Sequence, residues 1–189
     1  MRNLKNVAYL LLALLSLSLG TAGCSGSREI DKMKKDLLNS PVHKGKERCW
    51  ATNYSYWLTD DVKLQCKEIM WLYKDGTFKE KREFYYEGKL MATVSRSGKW
   101  DISYIGDDSY YFDQEYSDGL KIENVNFADE WFTKFDTDIR MNVKGDFSES
   151  DDEDSSYGLG IIDCTPEVFI IQDVSDEEVY RYEPYTVYL

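Results

Sequence analysis

Between residues 90 and 104 the apolar side chains fall on alternate positions. Leu90, Ala92, Val94, Trp100, Ile102 and Tyr104 share one parity, and Met91, Thr93, Ser95, Ser97, Lys99, Asp101 and Ser103 hold the other. A repeat of two over this length predicts a long strand with one wet face. Gly98 in its middle predicts a bend or bulge. Val62, Leu64 and Cys66 alternate in the same way. The apolar positions then move to Ile69, Trp71 and Tyr73, so a bulge is expected near Glu68.

Turn signals separate these runs at short intervals: Thr59-Asp60-Asp61, Lys74-Asp75-Gly76, Glu87-Gly88-Lys89, Gly106-Asp107-Asp108 and Asp118-Gly119. Asp-Gly between alternating runs is a hairpin cue, and connections this short make neighbouring strands antiparallel. The first turn sets Cys66 opposite Tyr54. Later strands are expected at Ile139 to Val143, Leu159 to Cys164, Glu167 to Gln172 and Glu178 to Glu183, with a helical turn at Ala128 to Phe135. Only residues 25–46 carry a helical period before the strands begin. Ile30, Met33 and Leu37 share one face among Asp31, Lys32, Lys34, Lys35 and Asp36, and the expectation is a short helix or spacer lying loosely on the domain.

A meander of many antiparallel strands must manage its edges, and closing into a barrel removes them. The fold class expected is therefore all-β, a single antiparallel meander over residues 47–189 closing into a barrel. The absence of a Pro-rich or Gly-rich linker, with only three prolines, fits one domain of this size.

The N-terminus changes the picture from a plain domain to an exported one. Arg2 and Lys5 precede an apolar run from Val7 to Leu19, then small residues Gly20 to Gly23 and Cys24. A basic start, a short apolar core and a small-residue cleavage site make a secretory signal peptide, too short for a membrane span of about 20 residues. Thr21-Ala22-Gly23-Cys24 resembles the lipobox of bacterial lipoproteins, although Thr21 stands where the family prefers Leu. The resemblance implies cleavage after residue 23, diacylglycerol on Cys24, and residues 24–46 as lipidated cysteine and tether. Two or more acyl chains hold firmly where one binds marginally. Ser25 after the cysteine implies the outer membrane by the usual sorting rule. Ser25-Gly26-Ser27-Arg28 lacks an acidic export run, which implies the periplasmic face.

Charge narrows the partners. The signal holds two basic residues and no acidic one, so the mature chain sets 21 Lys and Arg against 35 Asp and Glu, a formal −14. This argues against nucleic acid, whose binding needs basic groups on phosphates, and against a basic face on anionic lipid.

Chemistry is sparse. A catalytic Ser or Cys needs a nearby base, and the sole histidine, His43, lies in the tether expected over residues 24–46. No Gly-x-Ser-x-Gly, Walker loop or His-Glu-x-x-His occurs, so no catalytic residue and no cofactor are assigned. His43, Cys49, Cys66 and Cys164 lack Cys-x-x-Cys spacing for zinc. The acidic run Ser148 to Asp154 fails the EF-hand pattern, with Tyr157 where glycine is required, and reads as a solvated loop. In an oxidising compartment a Cys49–Cys164 bridge and three buried thiols stand as alternatives.

Trp71-Leu72-Tyr73-Lys74-Asp75-Gly76-Thr77-Phe78, then Ser97-Gly98-Lys99-Trp100-Asp101-Ile102, resembles the lipocalin-like domains of Bacteroidetes lipoproteins. Val168 to Ile171 and Glu178 to Tyr182 are similar to their closing hairpin, and the insert Asp146 to Tyr157 departs from it. The resemblance implies a lipocalin-like barrel. In such barrels the inward parity can line a ligand pocket, for which Trp71, Phe84, Trp100, Tyr110 and Phe112 are the candidates; the alternative is that they simply fill the barrel. The functional expectation is a lipid-anchored, non-enzymatic binder of a small or hydrophobic ligand. The rival is a protein–protein interaction module (inhibitor, immunity-type factor or accessory subunit) presenting an acidic face.

Overall fold

The computed structural model describes residues 26–39, 48–117, 119–143, 159–173 and 177–187. The signal peptide, Cys24, His43 and the acidic run 148–154 lie outside them. A helix over residues 26–38, α1, comes first. The strands follow as β1 (Arg48–Thr59), β2 (Val62–Leu72), β3 (Thr77–Tyr86), β4 (Lys89–Gly106), β5 (Ser109–Tyr116) and β6 (Lys121–Glu123). Then come helix α2 (Asp129–Val143), β7 (Leu159–Cys164), β8 (Phe169–Asp173) and β9 (Val179–Thr186).

Every strand pair is antiparallel, and eight strands close a ring in the order β1-β2-β3-β4-β5-β7-β8-β9. β6 stays outside the ring, paired to β4 at Thr93 to Ser95, where it continues the edge that β5 leaves at Gly98. The described turns at residues 59–61, 74–76, 87–89 and 106–108 are those the sequence announces. Thr59 meets Val62, and Tyr54 stands opposite Cys66. Glu87-Gly88 and Asp107-Asp108 both take positive φ, the twist that two-residue hairpin turns require and that Gly and Asp tolerate.

The closure is uneven. β1 pairs β9 only from Arg48 to Ala51, and β5 pairs β7 only at Tyr111 and Phe112. The other edge of β1 beyond Ala51 has no strand partner among the described residues, and there α2 packs through Phe135 and Asp138 on Tyr56.

Three sequence expectations are corrected. Ile139 to Val143 is the end of α2, not a strand. Its Ile139, Met141 and Val143 alternate by chance, whereas Trp131, Phe135 and Ile139 at i, i+4 and i+8 form the true apolar stripe. Asp129 and Glu130 favour the start of this helix, and Arg140 pairs with Asp136 one turn earlier. The bulge near Glu68 is absent. β2 pairs both neighbours in unbroken register through that residue, because Glu68 itself faces inward. The segment before β1 is no loose spacer either: Leu37 is 1% exposed, and its carbonyl accepts a hydrogen bond from Trp50 Nε1 at 3.1 Å.

Gly98 is required for a different reason from the expected bulge. A Cβ there would lie 2.0 Å from the Glu115 carbonyl oxygen and 2.8 Å from the Phe78 ring. Only glycine allows β5 to approach this closely.

Candidate functional site

The inward parity of each strand fills the ring in three layers. The first is apolar and closed by α1: Trp50, Met70, Leu72, Phe78, Trp100, Ile102, Phe112, Cys164, Phe169 and Ile171 pack with Leu37, and Ile30 and Met33 lie against them. The last is apolar and closed by α2: Leu58, Leu64, Cys66, Phe84, Ala92 and Val94 pack with Phe135 and Ile139. Rings meet edge to face within each, Phe112 on Phe169 at 5.1 Å and Phe84 on Phe135 at 4.9 Å.

Between them lies a charged layer. Glu68 on β2, Glu80 and Arg82 on β3, and Arg96 on β4 all occupy inward positions. Tyr182 Oη donates to Glu68 Oε1 at 2.7 Å, and Tyr54 Oη to Oε2 at 3.4 Å. Arg96 Nε donates to Glu80 Oε1 at 3.0 Å and its guanidinium lies 3.8 Å over the Tyr116 ring. Arg82 Nε sits 2.9 Å from Glu68 Oε2 and 2.5 Å from Glu80 Oε1, shared between two carboxylates and aligned for a hydrogen bond with neither. Glu80 Oε2 is buried without a hydrogen-bond partner among the described residues.

Two carboxylates and two guanidiniums make the layer formally neutral, which is how buried charge is tolerated. The carboxylates differ. Burial pushes Glu68 above its ordinary value, and Arg82 only partly opposes this. Burial pushes Glu80 the same way, but Arg82 and Arg96 outweigh it and hold that carboxyl low. Burial also pushes the Cys66 thiol up to about 12, far from the range of a reactive thiolate. The layer ties β2, β3, β4 and β9 together through their side chains.

The residues expected to line a pocket are divided by this arrangement. Trp100, Phe112 and the half-buried Tyr110 belong to the α1 cluster, and Phe84 to the α2 cluster. Trp71 is not inward at all. It lies between the inward Met70 and Leu72 and faces the outside of the wall, half-buried. The reason is again Glu68: with no bulge, the parity of Leu64 and Cys66 runs on to Leu72. Cys49, Cys66 and Cys164 form no disulfide with one another. Cys49 holds the outward parity of β1, its Sγ 3.1 Å from the Tyr185 carbonyl, while Cys164 lies in the α1 cluster beneath Met33. The wall separates them. Cys66 belongs to the opposite cluster, so the three thiols do not converge as zinc ligands. Among the described residues no group of three or more His, Cys, Asp or Glu side chains is placed to hold a metal ion.

Open surface depressions lie elsewhere. One, about 510 Å³, sits over Gly98 between Tyr73, Lys79, Lys99 and Tyr116. Another, about 330 Å³, lies at the α2 end between Trp57, Asp60 and Lys134. Trp57 is 59% exposed, the most of any large apolar side chain among the described residues, with Lys63 Nζ 4.9 Å from its ring centre. The sequence reading missed both the charged layer and Trp57. The signal for the layer was present: Glu80 and Arg82 share the parity of Phe78 and Phe84. No helix among the described residues is long and apolar enough to cross a membrane. Comparison with protein-family models and with curated proteins gives no match.

Proposed function

We propose that this protein is a lipid-anchored envelope lipoprotein of lipocalin-like architecture that works as a non-enzymatic interaction module, with its barrel as a rigid scaffold. The observation that carries this reading is the filled interior. Two apolar clusters and a charged layer occupy the inward positions, and a helix covers each end. The inward aromatic side chains that would line an interior pocket are packed instead, Trp100 on Phe112 and Phe84 on Tyr56 and Phe135. Recognition then falls to the outer surface, where an exposed tryptophan beside a depression is the kind of residue that dominates protein interfaces. Lipid on Cys24, the outer-membrane address and the acidic surface belong to the same reading and rest on the sequence.

A photoreactive amino acid at Trp57, introduced into the full chain in its native host, tests it. The expected result is one discrete cross-linked partner that disappears when the same residue is placed at Lys121 on β6. No adduct from the Trp57 face, together with one-to-one uptake of an apolar probe by the purified protein, would overturn it in favour of the small-ligand reading.

A further inference from the structure

The exposed apolar side chains gather at the two rims of the barrel rather than around its wall. At the α1 end, Tyr104 is 48% exposed, Ile105 51% and Ile162 56%. Tyr104 and Ile105 precede the β4–β5 turn, and Ile162 lies on β7 on the other flank of β5. Bulges at Ile105 and Ile162 turn both outward, since each interrupts its ladder there. The start of α1 is at the same place: a Cβ on Gly26 would lie 3.7 Å from the Tyr104 ring. Lys34, two turns further along α1, pairs with Asp101 on β4 and fixes the helix against this hairpin.

Chain geometry then limits where a lipid on Cys24 can be. Two residues span at most about 7 Å, so a lipid on Cys24 would be attached within that reach of Gly26, which lies beside Tyr104. We infer that the Tyr104-Ile105-Ile162 rim is a membrane seat: it rests on the lipid surface and fixes the barrel upright, α2 end outward, instead of letting it swing on a flexible leash. The inference rests on the proposed lipidation of Cys24. Tyrosine with a wet hydroxyl and an apolar body suits the interfacial layer. Two isoleucines and a tyrosine are too little to bind a membrane alone, but the anchor holds them at high effective concentration. Asp107 and Asp108 at the turn are exposed and reach towards the headgroups. The matching surface is therefore zwitterionic and amine-bearing, such as phosphatidylethanolamine, rather than anionic.

The test uses the full chain, matured in a bacterial host and reconstituted in phosphatidylethanolamine–phosphatidylcholine vesicles. The mass of the N-terminal peptide is read first, then amide hydrogen exchange. The lipidated protein should carry diacylglycerol on Cys24. Exchange over residues 104–109 should slow about tenfold relative to the Cys24→Ala protein mixed with the same vesicles, with residues 57–63 unchanged. Ile105→Asp should restore fast exchange at 104–109 while the protein still floats with the vesicles. Lipidated, vesicle-bound protein whose 104–109 segment exchanges as fast as the Cys24→Ala protein would overturn the seat and leave the anchor standing. A Cys24 without lipid would overturn the anchor and the seat together.

Discussion

At one end of the barrel a helix that precedes every strand lays Ile30, Met33 and Leu37 on a ring of strands already paired on both sides. At the other end, β1 from Thr52 onward lacks a second strand partner among the described residues, and α2 supplies the packing that a strand would have given. The first helix caps a closed wall and the second completes an open one. Their attachments also differ: α1 is bound by a hydrogen bond from Trp50 Nε1 to the Leu37 carbonyl and by an ion pair, α2 mainly by edge-to-face and tilted rings. The charged layer lies between, so each end packs as its own unit. A short meander can thus close with few ladder pairs when helices cover what the strands leave bare.

Four substitutions test whether the two ends pack independently. The largest effect is expected from Glu80→Ala, which strands Arg96 and leaves Arg82 with Glu68 alone in the layer that separates the ends. Breaking a buried ion pair from one side costs about 3–5 kcal/mol, readable as the shift in a urea unfolding transition. Phe135→Ala follows, at about 3–5 kcal/mol for a buried aromatic, and hydrogen exchange should speed along residues 52–58, where α2 replaces a strand. Leu37→Ala should cost about 2–5 kcal/mol and loosen residues 26–38 while leaving 52–58 protected. If both variants loosen the same segments, the ends are one unit and the comparison fails.

Glu68→Gln should cost the least, about 1 kcal/mol, because it removes a charge that burial already disfavours. Its signature is pH dependence. The Glu68 carboxyl titrates above 4.5 in the fold. The folded state therefore binds more protons than the unfolded one in the window above 4.5, and stability falls as pH rises through it. Glu80 has its folded value below 4.5, so the stability it adds is present above 4.5 and is lost as pH falls through its folded value. Unfolding free energies measured across pH should lose the decline above 4.5 in Glu68→Gln and keep the acid loss.

Much of the fold is legible in the sequence because hairpin chemistry is local. Thr59-Asp60-Asp61 alone sets Tyr54 opposite Cys66, and β7 lies where its apolar run lies. The interior is less legible. Glu68 on an inward position reads as a break in phase unless its partners are known, and Arg82 and Tyr182 come from other strands. A break in phase at Glu68 would also turn Trp71 inward, whereas the unbroken strand turns it outward. Only the second half of α2 is hidden, because its last five residues alternate like a strand, while the helical turn expected at Ala128 to Phe135 begins the helix. The division of Trp100 and Phe112 from Phe84 depends on the charged layer, and so on long-range pairing that no local pattern carries.

Whether the barrel interior is solid can be read by titrating an apolar fluorescent probe into the purified protein. A solid interior predicts no saturable binding and no change in tryptophan emission, with Cys66 and Cys164 staying unreactive towards a thiol reagent until the protein is unfolded. Saturable one-to-one uptake that quenches tryptophan emission, and is lost in Phe112→Trp, would contradict it and return the protein to the ligand carriers.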